Sequence, residues 1–182
     1  MSKTIAILLA DGFEEIEALA PADVWRRLGF DVILASVGSS EMVAGAHGIM
    51  IKADALLADI PTDTLDAVIL PGGMPGSKNL RDNERVLNLI RTMVAADKVA
   101  AAICAAPIVL EKAGVLTGVR YTMYPGFEAE MSSCPTGNLT EVCGNIITGK
   151  GPGAAIAFAA CVAAKLGADA QPMYKDGMFI QG

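Results

Sequence analysis

The sequence predicts an α/β fold, a three-layer sandwich built around one mostly parallel sheet. Two observations carry that expectation. Short apolar runs alternate with helical patterns from one end of the chain to the other, and no linker, repeat or low-complexity tract interrupts them. A chain of 182 residues is also long enough to close one core, burying about 70% of the surface that its unfolded form exposes. Residues 1–182 are therefore read as a single domain.

Thr4 to Ala10 reads as a buried strand. Asp11-Gly12-Phe13-Glu14 then has the spacing of a capping box, which opens a helix running to about Leu28, where Gly29 stops it. Asp31 to Val37 is the second strand, and Val43 to Lys52 holds a short antiparallel excursion around Gly45 and Gly48. Asp66 to Leu70 is a further apolar strand, ended by Gly72-Gly73. From Asn83 to Ala96 the apolar positions Val86, Leu87, Leu89, Ile90, Met93 and Val94 form a helical stripe. Val99 to Ile103 has no polar residue, as a strand covered on both faces requires. Pro107 fits the first turn of the next helix, which ends at Gly114, and Gly151-Pro152-Gly153 opens a final small-residue helix through Leu166.

Composition excludes several kinds of function. Hydrophobic residues make up 53% and charged residues 19%, the balance of a compact globular protein rather than a disordered one. A net charge of -6, with no basic run longer than Arg26-Arg27, argues against nucleic acid as a partner. No stretch has the length of a membrane span, and the run Ile5 to Ala10 is cut short by Asp11, Glu14 and Glu15, so it is no secretory leader. The cysteines, Cys104, Cys134, Cys143 and Cys161, lack the close pairs of a metal cage, and His47 is the single histidine. No metal and no cofactor are expected, and the compartment is read as the reducing cytoplasm, where Cys134 and Cys143 stay unpaired.

In open α/β sheets, ligands gather at the carboxyl ends of the strands. Three loops fall there: Asp11 to Glu17, Gly72 to Gly76, and Cys104 to Pro107. Cys104 directly follows a buried strand and precedes a helix, where unpaired backbone amides and the helix dipole favour a thiolate. The same position suits an inert core cysteine equally well. A nucleophilic thiol needs a proton partner, and Glu14, Glu15 and Glu17 crowd a neighbouring helix start. Acids in a first turn also simply complement the macrodipole. Glu17 differs, being flanked by Ile16, Ala18 and Leu19 and so suited to an apolar pocket that raises its pKa. The amides of Gly72, Gly73 and Ala105 are candidates for an oxyanion-type site. Gly144 to Gly151 nearly fits a phosphate loop but lacks the terminal hydroxyl, and its middle residues read as a strand.

Taken together, Asp11 to Glu17, Leu70-Pro71-Gly72-Gly73-Met74-Pro75-Gly76, Ala101 to Pro107 and Gly151-Pro152-Gly153 resemble the ThiJ/PfpI (DJ-1/PfpI) superfamily in order and spacing over nearly the whole chain. The likeness is to the branch of the parkinsonism-associated protein deglycase and its microbial relatives. The resemblance implies a flavodoxin-like fold, a homodimer, a reactive Cys104, and a protonated Glu17 hydrogen-bonded to its sulfur. It further implies a cofactor-free glyoxalase or deglycase acting on methylglyoxal or glyoxal adducts. The alternative is a redox sensor or chaperone-like protein that responds to oxidative stress through oxidation of Cys104. Related enzymes often carry histidine where this chain has Tyr124 and arginine where it has His47; Tyr124 can still hydrogen-bond an oxyanion, although a phenol is a poor general base at neutral pH, and His47 either lines the pocket across a dimer or is an exposed loop histidine. The peptidase branch carries histidine right after the nucleophile; here that residue is Ala105, so a Cys-His protease is not expected.

Overall fold

The computed structural model describes residues 2–180. Strand β1 (Thr4–Leu9) leads to helix α1 (Glu15–Arg27) and strand β2 (Asp31–Ser36); β3 (Met42–Ala44) and β4 (Met50–Lys52) form a separate antiparallel ribbon. β5 (Ala55–Leu56) and β6 (Ala67–Leu70) are followed by α2 (Gly76–Arg81), α3 (Glu84–Ala95), β7 (Val99–Ile103) and α4 (Pro107–Ala113). A hairpin of β8 (Thr140–Cys143) and β9 (Ile146–Gly149) precedes α5 (Ala155–Lys165) and α6 (Gln171–Gly177). The seven-stranded sheet runs β5-β2-β1-β6-β7-β9-β8, and every pair in it is parallel except β8 with β9. This is the flavodoxin-like sandwich expected of the family resemblance.

Strand alternation builds the two faces. Ile5, Ile7 and Leu9 of β1 join a core with Trp25 of α1 and Phe158 and Val162 of α5. Ala6 and Leu8 join the opposite core with Leu87 and Ile90 of α3 and Val109 and Leu110 of α4. Burying a side chain of this size contributes roughly 1.5–3 kcal/mol. Trp25 also donates its indole N–H to the Ala159 carbonyl (2.9 Å), which locks α1 against α5. On the other face, the Asn83 side chain accepts from the amides of Arg85 and Val86, the cap that starts α3.

Several elements depart from the sequence expectation. The capping box at Asp11 is not made: α1 begins at Glu15 with no side-chain cap, and Asp11 Oδ1 instead accepts from the Ala44 amide (2.9 Å). The loop after β1 is tied to the β3–β4 ribbon rather than wound into the helix, since Gly12 N–H also donates to the Ala44 carbonyl. The helix ending near Leu166 is not the last, because α6 follows it. The short α2 was hidden by its glycine and proline neighbours, and β8 by its alternation of polar and apolar residues at a sheet edge. No helix among the described residues is long and apolar enough to cross a membrane.

Candidate active site

Cys104 directly follows the last residue of β7, and its backbone is left-handed, with φ of 64°. A non-glycine residue pays about 1 kcal/mol or more for that conformation and keeps it only where its surroundings fix it. Here they do. Cys104 N–H donates to the Gly149 carbonyl (2.9 Å), and the Cys104 carbonyl accepts from Tyr124 N–H (2.9 Å). The turn holds the half-buried sulfur toward the amides of Ala105 and Gly73.

Glu17 comes to this thiol from the first turn of α1 and is fully buried. Its Oε2 accepts from the Gly72 amide (2.8 Å), while Oε1 is buried with no hydrogen-bond partner among the described residues. Gly72 is where the two side chains meet: a Cβ there would lie 2.5 Å from Glu17 Oε2 and 2.6 Å from Cys104 Cβ. Only glycine leaves that space. The Gly72 amide is therefore spent on the carboxyl group, a correction to its expected place in an oxyanion site; Gly73 and Ala105 supply the amides that face the sulfur.

Charge in this pocket is scarce. Burial, with a smaller push from nearby Glu14, raises Glu17 to about 7, against the lowering effects of Cys104 and the Gly72 amide. Burial and an ionised Glu17 together push the Cys104 thiol up to about 12. The two groups thus titrate as a pair that avoids carrying two charges, and near neutral pH they hold a single negative charge. The amides of Ala105 and Gly73 act against that rise at the thiol, though burial and Glu17 outweigh them.

The remaining expected residues sit elsewhere. His47, on the turn between β3 and β4, donates from Nδ1 to Glu15 Oε2 (2.9 Å) and lies 3.4 Å from Glu14 Oε2; no hydrogen bond or ion pair among the described residues joins it to the thiol. Tyr124 touches the Cys104 turn through its backbone, while its half-exposed ring packs on Gly151. That ring forms a wall of a shallow, mainly apolar cleft of about 320 Å³ shared with Pro125, Leu139 and residues 150–154. Gly149 was missed as a holder of the thiol turn. Its only sequence signal was the end of a strand followed by a glycine-rich segment.

Residues 3–165 match the model of the DJ-1/PfpI family. The chain belongs to this family. It is 38% identical over 169 residues to Protein dj-1beta of Drosophila melanogaster, covering 91% of this chain and 90% of that one. A protein of Pyrococcus abyssi named a deglycase is 35% identical over 127 residues, 70% of this chain and 75% of its own. The oxidized DJ-1 of Toxoplasma gondii superposes with a TM-score of 0.91 at 32% identity, covering 97% of this chain and 98% of that one. Two Arabidopsis thaliana homologs are longer, and the chain spans 41% and 38% of them. The recognition drawn from the four motifs is borne out, and the site described above falls within the matched region.

Proposed function

We propose that this protein is a cysteine-dependent enzyme, needing no cofactor, that converts methylglyoxal or removes glyoxal adducts, with Cys104 as nucleophile and Glu17 as proton shuttle. The observation that carries the reading is Glu17 itself: a fully buried carboxyl group beside a strained cysteine, with one oxygen anchored by Gly72 and the other without a hydrogen-bond partner among the described residues. Such an oxygen is placed to give and take a proton.

In this mechanism the Cys104 thiolate adds to the aldehyde carbon of methylglyoxal, forming a C–S bond while Glu17 protonates the new alkoxide. The Gly73 and Ala105 amides stabilise charge as it builds. Glu17, now a carboxylate, removes the proton from that carbon, and the electron pair passes into an enediol. Reprotonation at the neighbouring carbon gives a lactyl thioester, which water hydrolyses to lactate, freeing Cys104. Atoms balance as methylglyoxal plus water to lactate.

A second reading has one observation in its favour. The two amides that face the sulfur would equally hold a sulfenate or sulfinate oxygen, so oxidation of Cys104 under stress fits the same geometry. Exposed Ile16 on α1 and Met42, Ile49 and Met50 on or beside the β3–β4 ribbon support a homodimer. The four free cysteines support a reducing, cytoplasmic setting.

Purified protein incubated with methylglyoxal, without glutathione or metal, tests the first reading. Lactate should form with the unaltered chain and fall at least about 10³-fold in Cys104→Ser. Undiminished lactate in that variant would sink the mechanism, whereas no lactate from the unaltered chain, with two oxygens added to Cys104 by mild peroxide, would favour the sensor.

A further inference from the structure

We propose that Thr148 is a positioning residue for the Cys104 thiol, its hydroxyl clasping together the two backbone segments that grip the Cys104 turn. The left-handed conformation of Cys104 is held between two backbone hydrogen bonds: its N–H donates to the Gly149 carbonyl, and its carbonyl accepts from the Tyr124 N–H, both at 2.9 Å. One grip therefore comes from β9 and the other from the segment 121–124. Thr148 joins them. It directly precedes Gly149 on β9, and its Oγ1 accepts from the amide of Thr122 (2.8 Å), two residues before Tyr124.

The chemistry of position 148 fits that task. β9 is buried at every residue, and Thr148 and Thr122 are 1% and 0% exposed. A hydroxyl in such a strand loses its hydration and needs a partner, as does the Thr122 N–H. Each satisfies the other. Thr148 stands in register between Ala102 of β7 and Glu141 of β8, so the strand that fixes the hydroxyl is itself held on both sides. Residues 144–151, which nearly fit a phosphate loop in sequence, thus carry the clasp on a strand.

A second tie keeps Thr122 in place. Its own hydroxyl donates to the Asn138 carbonyl (2.6 Å), and the Asn138 side chain donates to Glu141 Oε1 (2.6 Å) on β8. Both ends of the stretch 122–138 are fastened to the β8–β9 hairpin. Without the Thr148 acceptor the buried Thr122 amide is unpaired, and the segment can regain a partner only by shifting, which draws the Tyr124 N–H from the Cys104 carbonyl. Cys104 then loses one of the two bonds that fix its strained backbone. The thiol spends less time in its attacking position, so kcat falls more than KM rises. That consequence rests on Cys104 being the nucleophile of the proposed reaction; the clasp itself does not.

Thr148→Val keeps the shape of the side chain and removes the acceptor, whereas Thr148→Ser keeps the acceptor. Amide hydrogen exchange followed by NMR should show Cys104 and Tyr124 exchanging at least about tenfold faster in Thr148→Val, relative to Ile7 of β1 beyond β6 and β7, and near the unaltered rates in Thr148→Ser. With methylglyoxal, Thr148→Val should lower kcat for lactate at least about tenfold with KM within about twofold, and Thr148→Ser should restore it. In the unaltered chain, Thr122, Tyr124 and Cys104 should show protection within about threefold of one another, because one opening releases all of them; this measurement needs no variant to fold. Unrelated protection at these amides, unchanged relative exchange in Thr148→Val, or losses as large in Thr148→Ser overturn the clasp. An unaltered chain that makes no lactate overturns the proposed reaction instead, and the exchange rates then judge the clasp alone.

Discussion

Glu15 and Glu17 sit on the same turn of α1, both nearly inaccessible to water, yet their carboxyl groups are pushed in opposite directions. Burial acts to raise both. At Glu15 it is outweighed by the His47 side chain and by the amides of Glu15, His47 and Ile49, leaving the pKa lowered. At Glu17 the Cys104 side chain and one amide, that of Gly72, oppose burial, which prevails and raises it to about 7. Glu17 lies deeper in the core and meets fewer donors than Glu15, and both differences act in the direction seen. One helical turn thereby presents a fixed anion and a movable proton side by side.

Glu17→Gln gives the largest test of that contrast. A raised carboxyl pKa means that the folded state holds its proton more tightly, so this contribution to stability is complete below pH 4.5 and disappears as pH rises through about 7. Urea unfolding should show Glu17→Gln more stable than the unaltered chain at pH 8, by up to about 3 kcal/mol, and equal to it near pH 4. Lactate formation should fall by about 10²–10³ in the same variant. A variant that is less stable at pH 8 would mean that the carboxylate is well solvated in the fold.

Glu15→Gln should behave in the opposite sense. Its lowered pKa supplies stability above pH 4.5 that is lost as pH falls through the folded value. Losing its charge-assisted hydrogen bonds should cost about 1–3 kcal/mol at pH 7, with the gap closing in acid; equal melting of the two proteins at pH 7 would break the comparison.

The smallest effect is expected at Glu14, whose charge helps to raise Glu17. Glu14→Gln should move the acidic limb of the activity profile to lower pH with little change at its plateau. An unmoved limb would show that Glu17 feels burial alone.

The sheet was legible because a strand buried on both faces must be apolar throughout, as Val99 to Ile103 is, and because Cys104 stands at its carboxyl end. Local patterns served less well at loop ends. Asp11 had the chemistry of a cap, but the β3–β4 ribbon offered it the Ala44 amide, and a long-range partner won over a local one.

By itself, the sequence determined the layers of the fold and the position of the thiol, since both follow from apolar periodicity along the chain. Glu17 was singled out by its apolar flanks and by the family resemblance; only the tertiary structure decided how that acid is held and what each glycine amide does. Glu17 and Cys104 belong to different β-α units, and their approach depends on Gly72 leaving room between them. The same approach gives the Gly72 amide to Glu17 and turns His47 toward Glu14 and Glu15. Such assignments depend on distances across the sheet, which periodicity along one strand or helix does not encode.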